Sequence, residues 1–269
     1  MALAYKISDN FPGVKSGLHE IRLAQDETEV DAAQELRYRV FYEEMKAKPS
    51  KHSNLIKRDI DRFDEHFEHL LVLDHGRGES ISDKVVGTYR LNRKENAEAS
   101  IGYYTSTEYD ISSLINKPYE ILELGRSCVD VAYRNGAIMQ LLWKGIAAYV
   151  FHYDIKLMFG CASLQGTKID LLSVPLSYLH HNHLAPSNIR PRALSDRFIS
   201  MDIISKNNLD IIKARKSVPP LIKGYLRLGG YIGEGAVIDN QFNTVDVCIV
   251  LQTDKVTSRY RSHYDRDIY

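Results

Sequence analysis

The tetrapeptide Glu123-Leu124-Gly125-Arg126 sets a carboxylate and a guanidinium three residues apart inside an apolar stretch, 121–131, that reads as a strand. A carboxylate so placed can take a proton from an attacking amine, and a guanidinium can hold an anion. Strand alternation puts the two side chains on opposite faces unless a bulge intervenes, and Gly125 is a natural bulge site. A structural ion pair at a sheet edge would use the same residues. The strand then passes through Tyr133-Arg134-Asn135-Gly136-Ala137 into the strongest helical pattern of the chain. Such a glycine-containing turn can offer backbone N–H groups to an anionic ligand.

Further charged residues sit among apolar ones. Arg37 lies four residues before Phe41, on or beside the apolar face of a helix expected over 29–44. Asp59, Asp61 and Asp64 fall within six residues, where they could hold a metal or an amine or form only a solvated acidic turn. Arg90 stands near the end of a strand expected over 84–91. The tract His180-His181-Asn182-His183 looks like a metal site, but adjacent histidines on a helix do not face each other, so it reads as a polar helix end. Cys128, Cys161 and Cys248 are widely spaced, odd in number and embedded in apolar runs. They read as buried thiols of a reducing compartment. Cys128 has no base beside it in sequence and is not read as a nucleophile.

The elements that must position these residues follow from periodicity. Strands are expected over 18–24, 70–73, 84–91, 121–131, 155–163, 231–238 and 245–251. Helices are expected over 29–44, 137–151, 170–180 and 221–228, with a loop over 45–62 and no regular pattern over 184–215. The order is that of an α/β chain, a mixed central sheet flanked by helices. It forms one domain over 18–252, with a loose arm over 1–17 and a charged, Tyr-rich, flexible tail over 253–269. Lys+Arg and Asp+Glu balance at 35 each, so no global field marks a nucleic-acid binder. The N-terminus lacks a signal-like apolar run, and no stretch approaches the roughly 18–20 apolar residues of a spanning helix. The expected location is cytoplasmic, with peripheral contact at the inner membrane face left open.

Three segments carry a family resemblance: Glu123 to Val129, then Leu157-Met158-Phe159-Gly160-Cys161-Ala162-Ser163 with Gly166-Thr167, then Pro219-Pro220-Leu221-Ile222-Lys223-Gly224-Tyr225-Leu226-Arg227-Leu228-Gly229. With them the chain resembles, over about 18–251, the ornithine N-alpha-acyltransferases that start ornithine-lipid synthesis. These belong to the haemolysin-like acyltransferase group within the Gcn5-related N-acyltransferase fold. It is also distantly similar to acyl-homoserine lactone synthases. Their pattern falls here on Arg37 and Phe41, Asp61 and Asp64, Arg90, and Glu123 with Arg126. The tryptophan those synthases carry after the first helix has no counterpart; the single tryptophan is Trp143, on a later helix.

The resemblance implies transfer of a (3-hydroxy)fatty acyl group from acyl carrier protein to the α-amino group of L-ornithine, with no bound cofactor or metal. Glu123 and Arg126 would be catalytic, Glu123 as base. Asp61 and Asp64 would bind the cationic side chain of ornithine, and Arg90 or Arg37, with Phe41 nearby, its carboxylate end. Val129, Arg134, Gly136, Ala137, Trp143 and Ser163 would line the path of the acyl-phosphopantetheine. Tyr133-Arg134-Asn135-Gly136-Ala137 is a compressed version of the pyrophosphate loop of acetyl-CoA-dependent relatives. Lys144, Lys223 and Arg227 would meet the acidic carrier protein. Two other readings share the fold: an acyltransferase with another amine acceptor, and a non-catalytic acyl-carrier or lipid-binding protein.

Overall fold

A computed structural model gives the fold and describes residues 11–134 and 136–254. In chain order the strands are β1 (Val14–Ser16), β2 (His19–Leu23), β3 (Glu68–Asp74), β4 (Val85–Arg93), β5 (Tyr109–Asp110), β6 (Ile121–Val129), β7 (Leu157–Gln165), β8 (Arg192–Ala193), β9 (Tyr231–Ile232), β10 (Val237–Asp239) and β11 (Thr244–Gln252). The helices are α1 (Glu27–Tyr38), α2 (Lys51–Ile56), α3 (Ile81–Lys84), α4 (Lys94–Glu98), α5 (Ser112–Ile115), α6 (Ala137–His152), α7 (Ile169–His183), α8 (Ile211–Ser217) and α9 (Pro220–Arg227). Among the described residues, 11–101 and 124–154 make one unit, and 102–123 with 155–254 make a second. Strand β6 gives its first three residues to the second unit and the rest to the first.

In the first unit β1, β2, β3 and β4 form an antiparallel run, and the second half of β6 lies beside β4. The Asp130 N–H at the end of β6 donates to the Val86 carbonyl at 2.9 Å. β3 is buried from Glu68 through Leu73, because both its faces are covered. Leu71 and Leu73 pack with Ala33, Leu36 and Val40 on the helical side of α1. On the opposite face Gly87 lets Val72 and Ile138 of α6 come together. α6 approaches β2 most closely at Gly145, where a Cβ would stand 2.4 Å from Ile21 Cγ2. The underside of α6, where Ile138, Leu142, Ile146 and Val150 are buried, is thus filled by core packing.

α1 begins where Asp26 accepts the Glu29 N–H at 3.0 Å, with Glu27 and Glu29 favourably placed at the positive end of the helix dipole. It ends earlier than periodicity suggests. From Arg39 to Glu44 the chain continues as a π-helix, with the Met45 N–H reaching the Val40 carbonyl at 3.0 Å. Such wider turns recur at functional sites. The expected loop over 45–62 contains α2, capped by Ser50. Within the expected loose arm, Val14–Ser16 pairs with β2.

In the second unit Ile121, Leu122 and Glu123 of β6 run parallel to Leu157, Met158 and Phe159 of β7. β7 pairs antiparallel with β11 along nine residues, from Leu157↔Gln252 to Gln165↔Thr244. β10 and β9 both pair with β11. The expected strand over 231–238 is therefore two short strands, split around Gly233 and Gly235. Register fixes one face of this sheet: Glu123 opposite Phe159, then Cys161 opposite Cys248 and Ser163 opposite Asp246. Over 184–215 the chain forms β8, which pairs with β5, and α8. α7 runs on to His183, so the histidine tract is its last turn. Most of the expected tail, 255–269, lies outside the described residues.

Candidate active site

Arg37, at the C-terminal end of α1, has no solvent exposure. Burying a guanidinium demands paired acceptors for its donors. Its Nε donates to Asp59 Oδ2 at 2.8 Å, and its two terminal nitrogens donate to Asp64 Oδ1 and Oδ2 at 2.8 Å each. One of them also donates to the Asp59 carbonyl. Arg90 of β4, 1 % exposed, binds Asp61 Oδ1 at 2.6 Å and Asp64 Oδ1 at 2.9 Å. Arg126 of β6 closes the set, with Nε on Asp59 Oδ2 at 3.2 Å and NH2 on Asp61 Oδ2 at 2.8 Å. Three arginines from α1, β4 and β6 thus meet three aspartates from one short segment, and the charges cancel.

Arg126 reaches this network from a left-handed backbone, φ +49°. The irregularity expected at Gly125 falls on Arg126 itself. A non-glycine residue in that region carries a cost of about 1 kcal/mol or more and persists only where surroundings over-determine it. Here two aspartates do so. Asp61 and Arg126, whose side chains are 23 % and 12 % exposed, are the network's most accessible pair.

The network sets protonation. Asp64 is held well below the usual carboxylate range: burial opposes this, and the Arg37 and Arg90 charges outweigh it. Asp59 is held low in the same way, burial being outweighed by Arg37 and Arg126. The buried His69 imidazole, whose Nε2 lies 3.1 Å from the Asp64 carbonyl, is lowered to about 4 by desolvation first, with Arg37 and Arg90 adding to it and Asp64 opposing.

Glu123 is placed in the second unit, 2 % exposed. Its Oε2 accepts the Tyr104 N–H at 3.0 Å and its Oε1 the Thr105 N–H at 2.6 Å. It therefore pins the start of the turn Thr105–Thr107 to β6. A carboxylate held at both oxygens by backbone donors is fixed in orientation.

The acetyltransferase (GNAT) domain model matches residues 36–144, the span that carries Arg37, the aspartates, Arg90, Glu123 and Arg126. The chain is 46% identical over 250 residues to the L-ornithine N(alpha)-acyltransferase of Brucella abortus (strain 2308), covering 92% of this chain and 89% of that one. It is 43% identical over 251 residues to the L-ornithine N(alpha)-acyltransferase of Rhodobacter capsulatus, covering 93% and 96%. This chain belongs to the L-ornithine N(alpha)-acyltransferase family. It is an N-acyltransferase of the GNAT fold, as the mixed sheet and the resemblance implied.

Within this family member the remaining expected residues are distributed as follows. Phe41 is half-buried against the α1 core, in the π-helical segment. Val129 is buried at the end of β6, and its carbonyl accepts Arg134 Nε at 3.0 Å. Arg134 also pairs with Glu44, at 2.7 Å for NH2. Gly136 has φ +91° and starts α6, whose first turn has no side-chain cap. Asn135 and the Ala137 side chain lie outside the described residues. Trp143 is half-buried on α6, and Ser163 is exposed on β7. Cys128 lies in the α1 core, where burial pushes its thiol up to about 12, which leaves no thiolate for nucleophilic use.

Two members of the charged network were missed by sequence reasoning as site residues. Asp59 stood in the same acidic run, and its separation from solvent had no sequence signal. His69 sits in an apolar strand and gave none.

Two outcomes follow from the network. Arg37→Met leaves Asp59 and Asp64 buried with less compensation and should cost about 3–5 kcal/mol, read as the loss of unfolding free energy in urea titration. For His69 the folded pKa lies below the unfolded one, so the unfolded chain binds the extra proton between pH 6.5 and 4. Stability should fall as pH drops through that window, by about 3 kcal/mol from this residue, and His69→Gln should flatten the slope measured by urea unfolding at stepped pH.

Proposed function

We propose that this chain transfers a fatty acyl group from an acyl carrier protein thioester to the α-amino group of L-ornithine, giving a lyso-ornithine lipid. The observation that carries the reading is identity above 40% along nearly the whole chain to proteins named for acylation of that amino group.

The reaction is aminolysis. The amine nitrogen attacks the thioester carbonyl, the C–N bond forms, the C–S bond breaks, and the carrier thiol leaves with a proton. The acceptor arrives as an ammonium and must first lose a proton. Glu123 takes it, directly or through a water, from a carboxylate already oriented by the Tyr104 and Thr105 N–H groups. Holding the amine against the thioester supplies much of the acceleration. Arg37, Arg90, Asp59 and Asp64 spend their charges on one another, so in this reading they hold β6 and the aspartate segment in place. Arg126 and Asp61 are their accessible outlet. The uncapped first turn of α6, with Arg134 beside it, offers backbone N–H groups suited to the phosphodiester of phosphopantetheine.

Support for an acidic carrier comes from the second unit. A cavity of about 570 Å³ lies among α7, α8 and α9, lined by Ile211, Ile212, Arg215, Lys216, Lys223 and Arg227. Ile212 is 71 % exposed. Apolar side chains ringed by cations suit a docking helix that carries carboxylates. Among the described residues no helix is long and apolar enough to cross a membrane. The amphipathic product would pass to the inner membrane face by transient contact there.

Purified protein incubated with 3-hydroxyacyl carrier protein and mixed amino acids should yield acyl-ornithine by mass spectrometry. Glu123→Gln should lower kcat by about 100-fold or more, in a protein that stays folded at the assay temperature although its amide leaves one of the Tyr104 and Thr105 N–H groups unpaired, at a cost of about 1–3 kcal/mol. Acylation of a different amine would sink the acceptor assignment. Lys223→Glu with Arg227→Glu should raise KM for the acyl carrier protein by about 10-fold at low salt and leave KM for ornithine unchanged; equal effects on both would remove the docking role.

A further inference from the structure

A second set of three carboxylates lies in the second unit. Glu108 follows the turn Thr105–Thr107, Asp239 ends β10 and Asp246 lies on β11. They bring one oxygen each within 4.8 Å of one another. Glu108 is 1 % exposed and Asp246 5 %. Glu108 Oε1 accepts the Tyr104 hydroxyl at 3.3 Å. Its Oε2 is buried with no hydrogen-bond partner of normal geometry among the described residues, and the Cys161 thiol is a weak donor to the carboxylate. Asp239 Oδ1 accepts the Gln241 and Phe242 N–H groups at 2.7 and 2.9 Å. Among the described residues neither Glu108 nor Asp239 has a lysine or arginine within 4.0 Å. Arg197 acts on Glu108 from further off and donates through NH1 to the Thr107 carbonyl at 2.9 Å.

The consequence appears in Glu108, which is raised to about 7. Burial is the main cause, Asp246 and Asp239 add to it, and the Cys161 thiol and Arg197 oppose it. A buried carboxylate with one oxygen lacking a strong donor, set among two further carboxylates, suits a cation. An alkylammonium carries three N–H donors on one compact charge, which matches three carboxylates. A calcium ion would ask for six to eight oxygen ligands and a magnesium ion for an octahedron of six.

The group also lies beside the residue assigned above to take the amine proton. Glu123 holds the Tyr104 and Thr105 N–H groups, and the same turn leads into Glu108. Glu123, Cys161 and Asp246 share one face of the β6–β7–β11 sheet by register. Glu123 and Glu108 both bear on the buried Cys248 thiol.

We propose that Glu108, Asp239 and Asp246 bind the side-chain ammonium of the acceptor amino acid and set its preference for a diamino acid. This rests on the acyl-transfer reading. It replaces Asp61 and Asp64 in that role, because their charges already belong to Arg37, Arg90 and Arg126.

The test compares L-ornithine with L-2-aminopentanoate, which has a methyl where ornithine has its side-chain amine. The full chain, Glu108→Gln and Asp246→Asn would each be assayed for kcat and KM with both acceptors. The unaltered protein should favour ornithine by about 100-fold or more, since a site built for a donor rejects an analogue lacking it. Each variant should lose about 10-fold or more of kcat/KM for ornithine, mainly in KM, and stay within about 2-fold for aminopentanoate. Equal losses for both acceptors, or no loss, would overturn the assignment. Calorimetric binding of ornithine without donor separates the two readings. Binding that weakens in the variants, in a protein that makes no acyl-ornithine, keeps this site and sinks the acyl-transfer reading. Ornithine acylation with selectivity intact in both variants does the reverse. A stoichiometric divalent metal in the purified protein, lost in Asp246→Asn, would also overturn the proposal. If Asp246→Asn fails to fold, Glu108→Gln, which changes one buried carboxylate by a single atom, carries the comparison.

Discussion

Taking the Arg37 guanidinium fully out of water is the constraint on which the first unit depends. Such a charge is tolerated only when its donors find acceptors of matching charge. Asp59 and Asp64 supply them, and they also draw in Arg90 and Arg126, so the end of α1, the middle of β4 and the second half of β6 are fixed to one short segment. The left-handed backbone at Arg126 is sustained by the same bonds. A network of this kind contributes little net stability over an apolar core of equal volume. Removing one of its charges is expensive, so it specifies one arrangement.

The two acidic groups of the protein illustrate how environment separates identical side chains. In the first unit three aspartates are matched by three guanidiniums, and Asp64 stays ionised far into acid. In the second unit Asp246 and Asp239 bear on Glu108, Arg197 acts on it only from a distance, and Glu108 is raised to about 7. Burial alone raises both. The difference lies in the charges around them. A matched cluster builds structure; in the second, the proposed ammonium would supply the match.

The β6 strand joins these themes through covalent geometry. Its first residues pair with β7 and carry Glu123, and its later residues carry Arg126 into the arginine–aspartate set. Glu123 spends both carboxylate oxygens on the Tyr104 and Thr105 N–H groups. The same carboxylate thus orders a turn and is the proton acceptor of the proposed reaction, which would tie the shape of that turn to its chemistry.

The sequence by itself determined the α/β order, the strands β3 and β4, the long helix α6 and the family, because period-2 and period-3.6 patterns and contiguous motifs are local properties of the chain. Glu123 and Arg126 stood out as candidates for the same reason: charge inside an apolar strand is conspicuous in one dimension. Partnership was not. Asp61 and Asp64 offered an amine site on paper, and only the fold brought Arg37, Arg90 and Arg126 within 3 Å of them to take up that charge. Glu108, Asp239 and Asp246 are separated by more than a hundred residues in part and looked like ordinary polar positions; tertiary packing set their oxygens within 4.8 Å. Whether a charge is neutralised or left for a ligand depends on burial and on neighbours distant in sequence, and those are properties of the folded chain alone.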